Sequence, residues 1–110
     1  MLVSNAMKEQ ALGFGGLEFA TFRLREGIGE DALLAACDKV DREFLQTETG
    51  IFGHLLLKGA DGVYADVTFA DTQARAQQVC AKWLEQAVAL EYIALFDEQS
   101  VNMTFWERLR

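Results

Sequence analysis

The sequence has no proline, one histidine and two cysteines in 110 residues. Without proline, no turn depends on a pyrrolidine-fixed φ. Cys37 and Cys80 form neither a CxxC pair nor a disulfide framework. Both fall within helical patterns and read as small buried apolar residues. With His54 as the sole histidine there is no HxH or HxxxH spacing. Together with Asp66 it supplies two ligands of types that usually need a third, so no metal site is expected. Positive charge is scarce as well. Ten Lys and Arg against 17 Asp and Glu leave a formal net charge of −7, which argues against nucleic acid or an anionic membrane as partner. No apolar run is long enough to span a bilayer. The N-terminus lacks the apolar block of a signal peptide, so a cytoplasmic location is expected. No serine or cysteine stands with a base at triad spacing, which leaves nucleophilic hydrolysis without support.

What the chain does have is a hydrophobic content of 51% against 25% charged residues, the balance of one globular domain with a real core. Residues 1–16 read as a flexible lead-in. Ser4-Asn5-Ala6-Met7 has the look of a tag-derived scar, and the GFGG run at 13–16 lacks the GxGxxG spacing and a preceding strand. Residues 17–110 form the domain.

Residues 50–70, GIFGHLLLKGADGVYADVTFA, organise the rest. They read as a β-hairpin with Ala60-Asp61-Gly62 as a three-residue loop, a type I turn followed by a left-handed Gly62. That loop sets Lys58 opposite Tyr64, Leu56 opposite Asp66 and His54 opposite Thr68. On the other face it sets Leu57 opposite Ala65, Leu55 opposite Val67 and Gly53 opposite Phe69. A two-residue loop would slip the register and mix the faces.

Before the hairpin, residues 17–25 alternate as a first strand, with Ala20, Phe22 and Leu24 on one side and Phe19, Thr21, Arg23 and Arg25 on the other. Gly27 and Gly29 break it. Glu30 and Asp31 then begin a helix whose stripe is Leu33, Cys37, Val40 and Phe44 and which should end near 46–49. Asp38, Lys39, Asp41, Arg42 and Glu43 take its wet side. After the hairpin, Asp71 or Thr72 can cap a second helix carrying Val79, Trp83, Leu84, Ala87 and Val88. The helical pattern continues to Phe96 and is expected to break near 89–91. Residues 101–109 form the last strand.

The order is β-α-β-β-α-β, a ferredoxin-like α+β fold with a four-stranded antiparallel sheet and helices on one face. The hairpin's apolar face (Leu55, Leu57, Ala65, Val67, Phe69) joins Ala20, Phe22, Leu24, Val101, Met103 and Phe105 beneath the helices. The open face collects Phe19, Thr21, Arg23, His54, Leu56, Tyr64, Asp66, Thr68, Asn102, Thr104 and Trp106. It is too apolar for water and too polar for ordinary core, so something should cover it.

Three segments carry a family resemblance: FRLREGIGEDALLAA (22–36), ETGIFGHLLLKGADGVYADVTFAD (48–71) and VNMTFWERL (101–109). With its R-x-G exit into the first helix, T-G-I/F approach to the second strand and D-V-T-F before the second helix, the chain resembles the dimeric α+β barrel superfamily. That group includes antibiotic-biosynthesis monooxygenase-like proteins, haem-degrading monooxygenases and stress-responsive barrel proteins. The resemblance implies a homodimer, two sheets packed face to face as a dimeric α/β barrel, each with a cavity. Haem-degrading members use an asparagine on the first strand, a histidine on the second helix and a tryptophan. Here Thr21 and Arg23 stand on the first strand and the second helix has no histidine. Asn102, His54 and Trp106 lie on other strands.

Two sets of candidate site residues follow. His54 can shuttle a proton near neutral pH, or can be a polar filler bonded to Thr68 or Tyr64. Arg23 can fork onto a carboxylate or enolate oxygen, or can close a salt bridge with Asp66. Phe19, Thr21, Tyr64, Asp66, Asn102 and Trp106 would line the site and suit a planar, oxygenated ligand. The function expected is binding of a small organic molecule, with cofactor-independent monooxygenase-like or isomerase-like chemistry on a small aromatic or polyketide-type compound. The alternative is a non-catalytic binding or dimerisation module. No cofactor is expected. As an open-face residue, His54 should be replaceable at less cost to stability than Leu55.

Overall fold

The computed structural model describes residues 13–110, and the Ser4–Met7 segment lies outside them. Strand β1 (Gly16–Phe22) leads into helix α1 (Glu30–Glu43), whose first turn carries Glu30 and Asp31 where the helix dipole favours them. A short 3₁₀ turn (Leu45–Thr47) ends that segment. The hairpin is β2 (Ile51–Lys58) and β3 (Tyr64–Ala70). Thr72 Oγ1 accepts from the Arg75 N–H at 3.0 Å and caps helix α2 (Gln73–Lys82). Helix α3 (Ala87–Ile93) follows a 3₁₀ turn at Trp83–Glu85, and β4 (Asn102–Glu107) closes the sheet. The expected helix break exists, but at residues 83–86 instead of 89–91. The Trp83 side chain is buried there, and the tighter turn carries it into the core.

The four strands are antiparallel in the order β2-β3-β1-β4, the ferredoxin-like arrangement. Every pair expected in the hairpin is present, from Lys58 opposite Tyr64 to Gly53 opposite Phe69. The loop itself differs. Asp61 and Gly62 both hold positive φ (57° and 78°) inside a turn in which the Val63 N–H donates to Ala60 O at 3.2 Å. Two central residues of positive φ belong to a primed turn, the kind whose twist matches paired strands.

The face assignment of the hairpin is the main correction. Ala20 lies opposite Asp66, Phe22 opposite Tyr64 and Glu18 opposite Thr68. Directly paired residues share a face, so Tyr64, Asp66 and Thr68 lie beneath the helices together with His54 and Leu56. Leu55, Leu57, Ala65, Val67 and Phe69 lie on the open face with Phe19, Thr21, Asn102, Thr104 and Trp106. The first and last strands have the faces expected of them, and the hairpin is turned over relative to both. Alternation alone cannot detect this, because either face of the hairpin is internally consistent.

Gly15 and Gly16 belong to the packed start of the interior strand β1 and not to a loose lead-in. The Gly15 N–H donates to Ala70 O at 2.9 Å, and its carbonyl accepts from the Arg108 N–H at 2.8 Å. A Cβ on Gly16 would sit 2.1 Å from Gln73 N, so α2 starts against a strand that can bear no side chain there. No helix among the described residues is long and apolar enough to cross a membrane.

Candidate active site

Between the sheet and the helices lies a cavity of about 370 Å³, walled by Glu18, Ala20 and Asp66 from the sheet and by Trp83, Tyr92 and Phe96 from the helical side. Cys80, Leu84, Val101 and Met103 also line it. Apolar side chains dominate the wall, and the polar groups come from a few positions of the strand register.

Asp66 sits at the centre. Its Oδ2 accepts from the Tyr92 hydroxyl at 2.7 Å and from His54 Nε2 at 2.7 Å. The other ring nitrogen, Nδ1, lies 2.5 Å from Asp41 Oδ1 on α1. An imidazole that donates to a carboxylate at each nitrogen is an imidazolium. Burial opposes that charge, but the hydrogen bonds from Asp41 and Asp66 outweigh it and hold the His54 pKa up at about 12. Burial, followed by the Asp66 carboxylate, also pushes the Tyr92 hydroxyl above its ordinary value. Asp66 Oδ1 is buried without a hydrogen-bond partner among the described residues. An unmet carboxylate oxygen of this kind on a cavity wall is a place where a ligand donor gains most.

Glu18 is the second carboxyl on this wall. It is 6% exposed, and no hydrogen bond to it forms among the described residues. Burial first, then the neighbouring Asp66 carboxylate, raises its pKa from 4.5 to about 7, with His54 acting in the opposite direction. Glu18 is therefore partly protonated at neutral pH and can both take and return a proton there. Cys80 remains a thiol: burial, then Glu18 and Asp66, push it up to about 12, and its Sγ–H points to Met103 Sδ at 3.5 Å.

The residues singled out from sequence divide between two places. His54 and Asp66 meet beneath the helices. Tyr64 shares their face but stacks on Phe22 and donates its hydroxyl to Glu30 at 2.9 Å, away from the cavity wall. Arg23 is exposed, does not meet Asp66, and donates from Nη1 to Asp61 O in the hairpin loop. Phe19, Thr21, Asn102 and Trp106 occupy the opposite face of the sheet, where the Trp106 indole N–H donates to Thr104 Oγ1 at 2.8 Å. His54 neither faces Thr68 across an open surface nor bonds to it. Its side chain is 5% exposed. The residues that sequence reasoning missed are Glu18, Tyr92, Asp41 and the cavity use of Trp83. Glu18 had a signal, since it falls two residues before Ala20 and four before Phe22, on the apolar phase of β1.

No imidazole lines the cavity, and of its two sulfur side chains the Cys80 thiol is held protonated and points its Sγ–H at the Met103 thioether. The donor set therefore does not fit a haem iron, and no step is derived through one.

No protein-family model matches the sequence, and no curated protein matches it. Solved structures do match by shape. A variant of SnoaB, a cofactor-independent oxygenase from Streptomyces nogalater, superposes with a TM-score of 0.66 at 13% identity, over 87% of this chain and 95% of that one. The same fold is found in solved proteins described as candidate antibiotic biosynthesis monooxygenases. A candidate antibiotic biosynthesis monooxygenase from Caulobacter crescentus matches with a TM-score of 0.60 at 14% identity, over 93% and 97% of the two chains. A Nitrosomonas europaea protein of unknown function matches equally well, with a TM-score of 0.64 at 17% identity over 89% and 92%. At such identities the likeness concerns the monooxygenase-like fold alone, and that fold hosts many chemistries.

Proposed function

We propose that this protein is a homodimer whose interior cavity binds a small, flat, mostly apolar organic molecule and moves a proton on it without a cofactor. The observation that carries the reading is Glu18, a buried carboxyl with no partner among the described residues, on the wall of an apolar cavity and titrating near 7. A base of that pKa, facing an apolar wall, can remove a proton from a phenol or from a carbon beside a carbonyl. The resulting enolate or phenolate would be held by the carboxylic acid that Glu18 has then become, because the Tyr92 hydroxyl proton is already given to Asp66. Return of the proton at a different carbon gives isomerase-like chemistry, and reaction of the carbanion with dioxygen gives monooxygenase-like chemistry. The likeness of fold to a cofactor-independent oxygenase, SnoaB, supports the second route by analogy. The homodimer is supported by the open face, where Leu55, Leu57 and Trp106 are each 44–56% exposed beside Phe19 and Phe69.

A binding role without catalysis is favoured by one feature: the Asp41, His54, Asp66 and Tyr92 side chains largely satisfy one another. One experiment separates the readings. The wild type and Glu18→Gln are titrated with hydroxylated aromatic ketones of the polyketide type, and product is followed with and without dioxygen. Binding by both proteins with turnover only by the wild type is the expected result. Binding without turnover by either would leave a binding module, and no binding by either would overturn the cavity reading.

A further inference from the structure

The side of His54 facing away from the cavity presents a second arrangement. Cys37 and Asp41 are one turn apart on α1, at i and i+4, so both reach toward β2 from the same helix face. His54 Nδ1 lies 2.5 Å from Asp41 Oδ1 and 4.0 Å from Cys37 Sγ, and the three donor atoms all fall within 4.8 Å of one another. We propose that Cys37, Asp41 and His54 Nδ1 form a binding site for a zinc-like divalent ion, with a fourth coordination position open to solvent.

Around a tetrahedral zinc, bond lengths of about 2.0–2.3 Å place neighbouring donor atoms about 3.3–3.6 Å apart. Reaching those separations takes side-chain movements of about 1 Å. Asp41 would withdraw from the ring while Cys37 Sγ would approach it. Asp41 is free to do this because it is half-exposed, whereas Cys37 and His54 are buried.

The surroundings set this triad apart from a chance cluster. Metal-bound histidines ordinarily donate their other ring N–H to a carboxylate, which fixes the tautomer and the ring plane. His54 Nε2 already does so to Asp66 Oδ2, and Asp66 is itself held by the Tyr92 hydroxyl. Access exists too. A pocket of about 240 Å³ opens beside the triad, walled by Asp41, His54, Leu45, Gln46 and Phe52. Thiolate, imidazole and one carboxylate suit zinc or cobalt; magnesium and calcium prefer oxygen ligands throughout.

The charges also match. Without metal, the imidazolium and the Asp41 and Asp66 carboxylates leave one net negative charge. With a divalent ion, a neutral imidazole, a thiolate and the same two carboxylates, the sum is the same. The ion replaces the Nδ1–H and Sγ–H protons, which leave to solvent. Along the strands themselves only Asp66 stands beside His54; the other two donors come from the helix above.

The inference does not rest on the cavity chemistry, because the site lies on the other side of the His54 ring. Its test is titration of the reduced full chain with Co²⁺ as a coloured stand-in, then displacement by Zn²⁺. One equivalent should bind, giving a thiolate-to-cobalt charge-transfer band and visible bands of tetrahedral intensity. Cys37→Ser should abolish the charge-transfer band, while Cys80→Ser should retain it. Asp41→Asn, which keeps the side chain's size and is checked for folding by its unfolding curve, should weaken Zn²⁺ binding at least about 10-fold. Asp66→Asn should weaken it about 10- to 100-fold, as loss of an outer-shell carboxylate does. Failure of the wild type to bind an equivalent of either ion would overturn the proposal. So would a charge-transfer band that survives Cys37→Ser, or Zn²⁺ affinity unchanged in Asp41→Asn.

Discussion

The two faces of the sheet have opposite characters, and neither is the one its composition suggests. The face beneath the helices carries Glu18, His54 and Asp66, with Thr68 2% and Asp66 3% exposed. The open face carries Phe19, Leu55, Leu57, Val67, Phe69 and Trp106. His54 and Asp66 go inside here because the helices bring partners to meet them: Asp41 from α1 and Tyr92 from α3. Burial of a charged group is tolerable when it is paired and hydrogen-bonded, and the imidazolium between two carboxylates meets that condition. Among the described residues the outer face has no such partners. Leu55, Leu57 and Trp106 on it are 44–56% exposed.

The strongest way to break this contrast is to exchange its two neighbours in sequence. His54→Ala leaves Asp66 and Asp41 without their shared cation and should destabilise the fold by about 3–5 kcal/mol. Leu55→Ala, on the half-exposed outer face, should cost less than half of that within one chain. This reverses the ranking expected when His54 is placed on the open surface. Urea unfolding of both variants measures it, and an equal or smaller loss for His54→Ala would mean that the inner network contributes little.

The outer face is tested by charge. Leu57→Glu places a carboxylate on a side chain that is 46% exposed in the single chain, so the fold should survive. Burial of that charge between two sheets should weaken association by roughly 2–3 kcal/mol or more. Light scattering should then fall from about twice 12.3 kDa toward 12.3 kDa. A wild type already at the monomer mass at micromolar concentration would remove the dimer from the account.

Glu18 sharpens the inner half of the comparison. Its folded-state pKa of about 7 lies above the ordinary 4.5, so the folded state holds an extra proton between those values. Stability should therefore fall as pH rises from about 4.5 to about 7, and stay lowered above that. Glu18→Gln should remove this fall and stabilise the protein at pH 8 by on the order of 2 kcal/mol, with no gain near pH 4. Melting temperatures across that range check it, and parallel curves for wild type and variant would place the Glu18 titration elsewhere.

The smallest effect belongs to the hairpin loop that holds the two faces in register. Gly62→Val forces a branched side chain into φ of 78°, where its Cβ would lie 3.3 Å from Arg23 Nη1. A loss of roughly 1–2 kcal/mol is expected. An unchanged melting temperature would show that the loop can rebuild without its left-handed residue.

Most of the fold was legible in the sequence, because its signals are local. The 3.6-residue stripe of Leu33, Cys37 and Val40, the Thr72 cap, and a reversal at Ala60-Asp61-Gly62, although not its turn type, each act within a few residues. The register from Lys58–Tyr64 to Gly53–Phe69 follows from that reversal once it is placed. The candidate site was legible only in part. His54 and Asp66 stand out by residue type, but Glu18, Tyr92 and Asp41 read as ordinary strand, core and surface residues. What joined them was the pairing of β3 with β1, a contact between residues more than forty positions apart, which turned the hairpin's polar face toward the helices. Alternation fixes which residues share a face. Only the long-range pairing, with the Asp41 carboxylate on α1 and the Tyr92 hydroxyl on α3 to meet it, decided which face is the inside.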